Sequence, residues 1–185
     1  VTEAEFVRQG GQTARPAISW GVLTPAGWDP IWLAWSEQGL RQVAWNKPSV
    51  DGEPPALEEI PSQYTAPLTA YFSGAVVDLN SIPIDPVGTA FQQKVWTALR
   101  QVPRGAVRTY AGIASDVGSP RAMRAVGSAN GANPLAIVVP CHRVVEVGLK
   151  LGGYSGGLDR KRRLLAIEGV RFNGDVVQPG QLTLL

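Results

Sequence analysis

The sequence predicts an α+β protein, with a small antiparallel sheet in the N-terminal half and a mostly helical C-terminal half. Two apolar, Trp-rich stretches, Ile31–Trp35 and Leu40–Trp45, flank Glu37-Gln38-Gly39 as the strands of a meander flank their turn. From Thr89 onward the apolar residues recur at helical spacing. Charge divides along the same line. Phe91–Val170 carries 12 Lys/Arg against 4 Asp/Glu, and the remaining residues carry 5 against 11. A basic module beside an acidic one fits a polyanionic partner, and it fits a merely solvated basic surface about as well.

Taken in order, residues 1–16 are polar and Gly-containing, and a loose lead-in is expected there. A first strand is expected near Ile18–Leu23, closed by the turn Thr24-Pro25-Ala26-Gly27. The alternation of the tryptophans favours packing within the sheet over a base-stacking platform. Residues 47–61, rich in Pro and Glu, read as a loop, and Ser62–Ser73 as a helix stopped at Gly74. A short strand near Val76–Leu79 and a Pro-containing linker over Ile82–Gly88 complete the first domain. The predicted boundary therefore separates residues 1–88 from residues 89–185.

In the second domain Phe91, Val95, Trp96 and Leu99 share one helical face, and Pro103-Arg104-Gly105 ends that helix. Tyr110–Val117 reads as a second, shorter helix. Gly118-Ser119-Pro120 then forms a turn in which Ser119 caps a third helix and Pro120 occupies its first position. Two short helices about a tight turn form a helix-turn-helix signature. At about 100° per residue Arg121, Arg124, Ala125 and Ser128 fall on one face of the third helix, with Met123 and Val126 opposite. Side chains as small as Ala125 and Gly127 let a helix backbone approach a shallow minor groove. Two solvated arginines on an ordinary amphipathic helix are the equal alternative.

Composition narrows the chemistry. A chain of 185 residues with 44% hydrophobic content is globular in type. There is neither an N-terminal apolar segment nor a run near 18 apolar residues, so no membrane association and a cytoplasmic location are expected. A single cysteine excludes an intrachain disulfide, and a single histidine beside it leaves no Cys/His zinc cluster.

Those two residues are adjacent, Cys141 and His142, inside the apolar run Ile137–Val145. The run reads as a buried strand. Pro140 restricts the residue before it and ends the strand near Cys141, so the thiol is presented at its tip. His142 and Arg143 favour the thiolate. Adjacent residues of an extended chain point to opposite sides, which disfavours direct contact between thiol and imidazole. A bridging water works if a carboxylate holds the imidazole from behind. Glu168, after the apolar helix ending in Leu164-Leu165-Ala166-Ile167, is the candidate, with a plain surface glutamate as the equal alternative. An inert buried thiol also remains open at this point.

Pro140-Cys141-His142-Arg143-Val144-Val145, with Asn133-Pro134 before it and Gly153-Tyr154-Ser155-Gly156-Gly157-Leu158 and Ile167-Glu168-Gly169 after it, resembles the O6-alkylguanine-DNA alkyltransferases. The resemblance spans roughly Phe91–Gly169 and includes Arg121-Ala122-Met123-Arg124-Ala125-Val126-Gly127. It implies a small ribonuclease H-like N-terminal domain and a C-terminal domain containing a winged helix-turn-helix. It also implies DNA repair by direct reversal. The protein would bind the minor groove of double-stranded DNA, flip out O6-alkylguanine or O4-alkylthymine, and transfer the alkyl group once, irreversibly, to its own cysteine.

By position, the resemblance makes Cys141 the nucleophile, His142 the water-linked base and Glu168 its orienting carboxylate. Asn133 braces the turn that carries the cysteine, and Tyr110 crowds the target phosphate and donates toward guanine N3. The backbone at Cys141 and Val144 accepts from the exocyclic amine, and Tyr154 and Ser155 line the pocket near O6. Arg124 enters the base stack, with Arg121, Ala125 and Ser128 beside it on the DNA. No cofactor and no metal are implied, and the protein is expected to act as a monomer or cooperatively along DNA. Ala136 stands where some relatives carry proline, which leaves room for bulkier adducts. Two other classes compete. A lesion-sensing binding module is disfavoured because such relatives lack the cysteine. A thiol hydrolase would need repeated turnover.

Overall fold

The computed structural model describes residues 17–49, 53 and 55–178, so the lead-in expected over residues 1–16 lies outside the described residues. Strands β1 (Ser19–Leu23), β2 (Ile31–Ser36) and β3 (Gly39–Ala44) form the antiparallel meander, in the order β1-β2-β3. Leu23 pairs with Ile31, and Leu33 pairs with both Gly21 and Val43. Beta-branched and aromatic residues suit this pleated surface, and Ile31, Leu33, Leu40 and Val43 are buried beneath it. Helix α1 (Ser62–Phe72) covers the sheet with Tyr64, Leu68, Tyr71 and Phe72. Trp35 and Trp45 are buried, and Trp28 stacks on Trp45, so these tryptophans pack the core.

Gly39 follows the hairpin turn with a backbone φ of +146°, and a Cβ there would stand 2.6 Å from the Pro83 carbonyl oxygen. Only glycine lets the chain after α1 come this close. Leu40 N–H donates to Pro83 O, and Asp85 N–H donates to Leu40 O. Residues 75–78 are irregular and a single 3₁₀ turn follows at Leu79–Ser81, so the strand expected near Val76–Leu79 is absent. Asp78 caps that turn through the Asn80 amide, and Val76 is exposed. The segment therefore has no neighbour with which to build a ladder.

Helix α2 (Ala90–Arg100) begins at a capping box. Thr89 accepts from the Gln92 amide while the Gln92 side chain accepts from the Thr89 amide, an arrangement worth about 1 kcal/mol. It buries Val95, Trp96 and Leu99. The Trp96 indole donates to Ala129 O across 2.9 Å, tying α2 to α4 (Met123–Gly131). Helix α3 (Tyr110–Asp116), capped by Thr109, packs between them.

The expected start of the third helix is corrected. Residues 119–122 form a turn closed by Ala122 N–H onto Ser119 O, and α4 begins only at Met123 without a side-chain cap. Arg121 thus precedes the helix, and Met123, expected inside, is exposed. The local preference of Ser-Pro for a helix start is met by the turn itself.

Short strands β4 (Arg108–Thr109) and β5 (Val144–Val145) pair in parallel. Helix α5 (Leu158–Ile167) and the hairpin β6 (Phe172–Asn173) and β7 (Val176–Val177) close the chain. The two halves are joined through backbone. Val43 N–H donates to Pro134 O and Ala136 N–H to Val43 O, so the segment leading to Cys141 extends the edge of β3. Among the described residues no helix is long and apolar enough to cross a membrane.

Candidate active site

The strand expected to run from Ile137 and end near Cys141 is not formed, and its absence shapes the site. Val138 N–H donates to Ala136 O around Ile137, which has a φ of +75°. Cys141 N–H donates to Val139 O around Pro140, whose φ and ψ are −79° and 61°. Both are three-residue γ-turns, the second the ordinary inverse form and the first the strained form, for which a β-branched residue is an unusual host. Asn133 spans the segment. Its side-chain N–H donates to Val139 O at 2.8 Å and its oxygen accepts from Leu135 N–H at 3.0 Å. Two tight reversals replace the extended run because the burial of Ile137, Val138 and Val139 sets the path.

After Pro140, residues Cys141–Arg143 form one 3₁₀ turn, with Cys141 and His142 both buried. The thiol sits at the start of this turn, where the amides at 141 and 142 and the Asn133 side chain face the sulfur. Burial nonetheless pushes the Cys141 thiol up, beyond what Asn133 and the positive charge of Lys161 offset. The expectation that His142 and Arg143 favour the thiolate is therefore corrected. The cation of Arg143 is directed elsewhere.

That destination is Glu168, at the C-terminal cap of α5. Its carboxylate accepts from Arg143 Nε at 3.0 Å, from Arg143 Nη2 at 2.9 Å, and from the Tyr71 hydroxyl at 2.6 Å. His142 Nε2 stands 2.9 Å from the same carboxylate. A carboxylate at a helix C-terminus opposes the helix dipole, so this many donors are needed to hold it. Burial alone pushes the Glu168 carboxyl up. His142 and Arg143 reverse that and leave it well below the usual carboxylate range. Burial lowers His142, against the pull of Glu168, so the imidazole is neutral beside an ionised Glu168 and a permanently charged Arg143.

A neutral imidazole whose Nε2–H donates to Glu168 leaves Nδ1 as an acceptor. That atom is buried and has no hydrogen-bond partner among the described residues. Glu168 thus fixes the tautomer and leaves Nδ1 able to accept a hydrogen bond.

Cys141 forms the floor of a pocket of about 200 Å³, with Tyr110, Gly127, Asn130, Tyr154 and Ser155 around it. Tyr110 is the first residue of α3. Burial and then Glu146 and Cys141 raise its pKa, so the phenol stays protonated. A Cβ at Gly127 on α4 would lie 4.0 Å from the Tyr110 ring, an ordinary contact distance. Val144 is not on the pocket wall. It is fully buried, and its carbonyl accepts from Lys161 Nζ at 2.7 Å.

Arg124, Ala125 and Ser128 lie exposed on α4, and Arg121 lies exposed just before it. Arg124 and Tyr110 share a second, open concavity of about 450 Å³ with Met123 and Lys150. The structure thus brings Cys141, Tyr110, Tyr154 and Ser155 together, places His142 next to Cys141 with Glu168 on its ring, and sets Arg124 on the neighbouring concavity that shares Tyr110 and Gly127.

Sequence reasoning missed four contributors. Tyr71 comes from α1, Arg143 turns from the cysteine to the glutamate, and Trp45 donates to the Tyr154 hydroxyl at 3.2 Å. Lys161 is buried and donates to the carbonyls of Val144, Leu151 and Gly153. Burial lowers it to about 8. A lysine at a buried position of the α5 pattern, among three arginine neighbours, was the one available signal.

Two family models match the chain: the 6-O-methylguanine DNA methyltransferase ribonuclease-like domain over residues 24–86, and the DNA binding domain of the same name over residues 90–170. The methylated-DNA–protein-cysteine methyltransferase of Methanosarcina acetivorans is 45% identical over 144 residues, covering 76% of this chain and 92% of the relative. That of Mycolicibacterium paratuberculosis is 47% identical over 152 residues, covering 80% and 86%. A crystal structure of Mycobacterium tuberculosis OGT in complex with DNA aligns with a TM-score of 0.73 at 40% identity, covering 82% of this chain and 93% of that one.

Proposed function

This chain belongs to the 6-O-methylguanine DNA methyltransferase family, and on that premise we propose that it repairs DNA by moving an alkyl group from O6 of guanine to Cys141. The observation that carries the proposal is the buried array Arg143–Glu168–His142 behind a lone cysteine that opens on a base-sized pocket. O4-alkylthymine is the second substrate class, presenting the same ether oxygen.

Each step falls to a named group. Arg124, on the concavity beside the pocket, fills the stack as the damaged base leaves it, offsetting part of an unstacking cost of a few kcal/mol. Arg121, Ala125 and Ser128 lie against the adjacent minor groove. His142 Nδ1 takes the thiol proton through a water, and Glu168 stabilises the imidazolium formed. The sulfur pair forms the S–C bond while the C–O6 pair passes to O6. Tyr110 donates toward N3 as charge builds on the purine, and guanine finally gains the proton that the thiol lost. Ser155 and the Cys141 carbonyl orient the base, whereas Val144, off the pocket wall with its carbonyl taken by Lys161, does not reach it.

The thioether has no route back to thiol, so each molecule acts once. The protein works as a monomer on duplex DNA, in the cytoplasm or on the nucleoid. The domain division lies between residues 88 and 89.

The test is removal of O6-methylguanine from a duplex oligonucleotide. The wild-type chain clears the lesion in proportion to protein added. Cys141→Ser binds the duplex and clears none. Clearance by Cys141→Ser at the wild-type rate would overturn the assignment.

A further inference from the structure

Trp45 follows β3 and is 9% exposed, and its indole N–H reaches the Tyr154 hydroxyl oxygen 109 residues further along the chain at 3.2 Å. An indole nitrogen only donates, so the direction of this hydrogen bond is fixed. The phenol oxygen accepts, and its own O–H remains to donate elsewhere. Among the described residues no acceptor receives it, and the phenol lines the pocket that holds Cys141.

Gly156 shows how closely the pair is fitted. A Cβ there would stand 2.6 Å from Trp45 Cδ1 and 2.6 Å from Tyr154 Cε1. Trp45 is itself clamped by Phe72, with ring centroids 6.1 Å apart, and by the Arg160 guanidinium 5.1 Å from its ring.

We infer that Trp45, from the N-terminal domain, is a positioning residue for alkyl transfer, because it aims the Tyr154 O–H at O6 of the flipped guanine. The inference rests on the alkyltransferase reading. As the sulfur pair forms the S–C bond, the C–O6 pair withdraws onto O6, and a hydrogen bond from Tyr154 meets the charge that develops there. The proton stays on Tyr154, since burial and the nearby Cys141 raise its pKa strongly. Guanine takes the thiol's proton afterwards. Accepting from Trp45 polarises the phenol and strengthens its donation. The N-terminal domain thereby contributes to the leaving-group end of the reaction.

The experiment is a double-mutant cycle on single-turnover transfer from an O6-methylguanine duplex, with Trp45→Phe, Tyr154→Phe and both together. Trp45→Phe slows transfer roughly tenfold, leaves DNA affinity unchanged, and has no further effect once Tyr154 is Phe. Iodoacetamide, whose leaving iodide needs no such donor, alkylates Cys141 equally in wild type and Trp45→Phe.

Wild-type transfer by Trp45→Phe overturns the inference, as does equal slowing with iodoacetamide or an undiminished effect in the Tyr154→Phe background. Should Trp45→Phe fail to fold, the Trp45 indole N–H resonance decides. It moves upfield in Tyr154→Phe, and an unmoved resonance overturns the inference. A wild-type chain that transfers nothing overturns the alkyltransferase reading and this inference with it, whereas a Trp45→Phe chain as fast as an active wild type overturns the inference alone.

Discussion

The His142 Nε2 atom lies 2.9 Å from Glu168 Oε1, and both side chains are wholly shielded from solvent. A neutral imidazole is held there in one tautomer by a carboxylate whose charge is balanced by Arg143. Removing one member of such a buried set strands the others.

Glu168→Gln keeps the shape and removes the charge. It should destabilise the fold by roughly 3 kcal/mol, because the partly buried Arg143 loses its counter-ion. Transfer should also slow at least tenfold, because an amide stabilises an imidazolium poorly. Urea denaturation and single-turnover kinetics check the two effects separately.

Acid should unfold the protein in two stages. Folding lowers the pKa of His142, so the unfolded chain binds its proton more readily, and stability declines as pH falls below about 6.5. Folding also lowers the pKa of Glu168, so its contribution is present above about 4.3 and is lost as pH falls through its lower folded value. Melting temperatures from pH 8 to pH 3 should fall in that order, and Glu168→Gln should flatten the second stage.

Cys141 is protonated at rest because burial raises its pKa. Alkylation by iodoacetamide should therefore accelerate with pH between 7 and 9, close to tenfold per unit while the thiol predominates. A rate independent of pH over this range would mean a resting thiolate.

Lys161 satisfies the carbonyls of Val144, Leu151 and Gly153 from inside the domain. Lys161→Met removes all three bonds while filling similar volume, and should cost about 3 kcal/mol. It should also raise the Cys141 pKa further, visible as a shift of the iodoacetamide profile to higher pH.

Arg124 is exposed and lines a concavity that shares Tyr110 and Gly127 with the Cys141 pocket. Arg124→Ala should slow repair of a duplex roughly tenfold or more while leaving reaction with free O6-benzylguanine unchanged, because only the duplex must be opened. Equal losses on the two substrates would contradict the finger role.

Much of this architecture is legible in the sequence, and the exceptions share a cause. The meander follows from alternation about Glu37-Gln38-Gly39, and α2 from the periodic set Val95, Trp96 and Leu99. His142 and Glu168 are legible because one histidine needs one carboxylate. The γ-turns at Ile137 and Pro140 are not, since an apolar run has the same composition whether it is extended or folded back. Tyr71, Trp45 and Lys161 escape for a further reason. Their side chains look like ordinary core or surface residues until the tertiary fold brings them to partners 8 to 109 residues away. Arg143 was in view, but its adjacency to Cys141 suggested the wrong partner.

The most direct measurement is the mass of the protein and of its Cys141 peptide after incubation with excess O6-methylguanine duplex. One methyl group per chain is expected, located on Cys141, with no further gain on longer incubation or with more DNA. Removal of many methyl groups per chain, or removal with Cys141 left unmodified, would contradict this expectation.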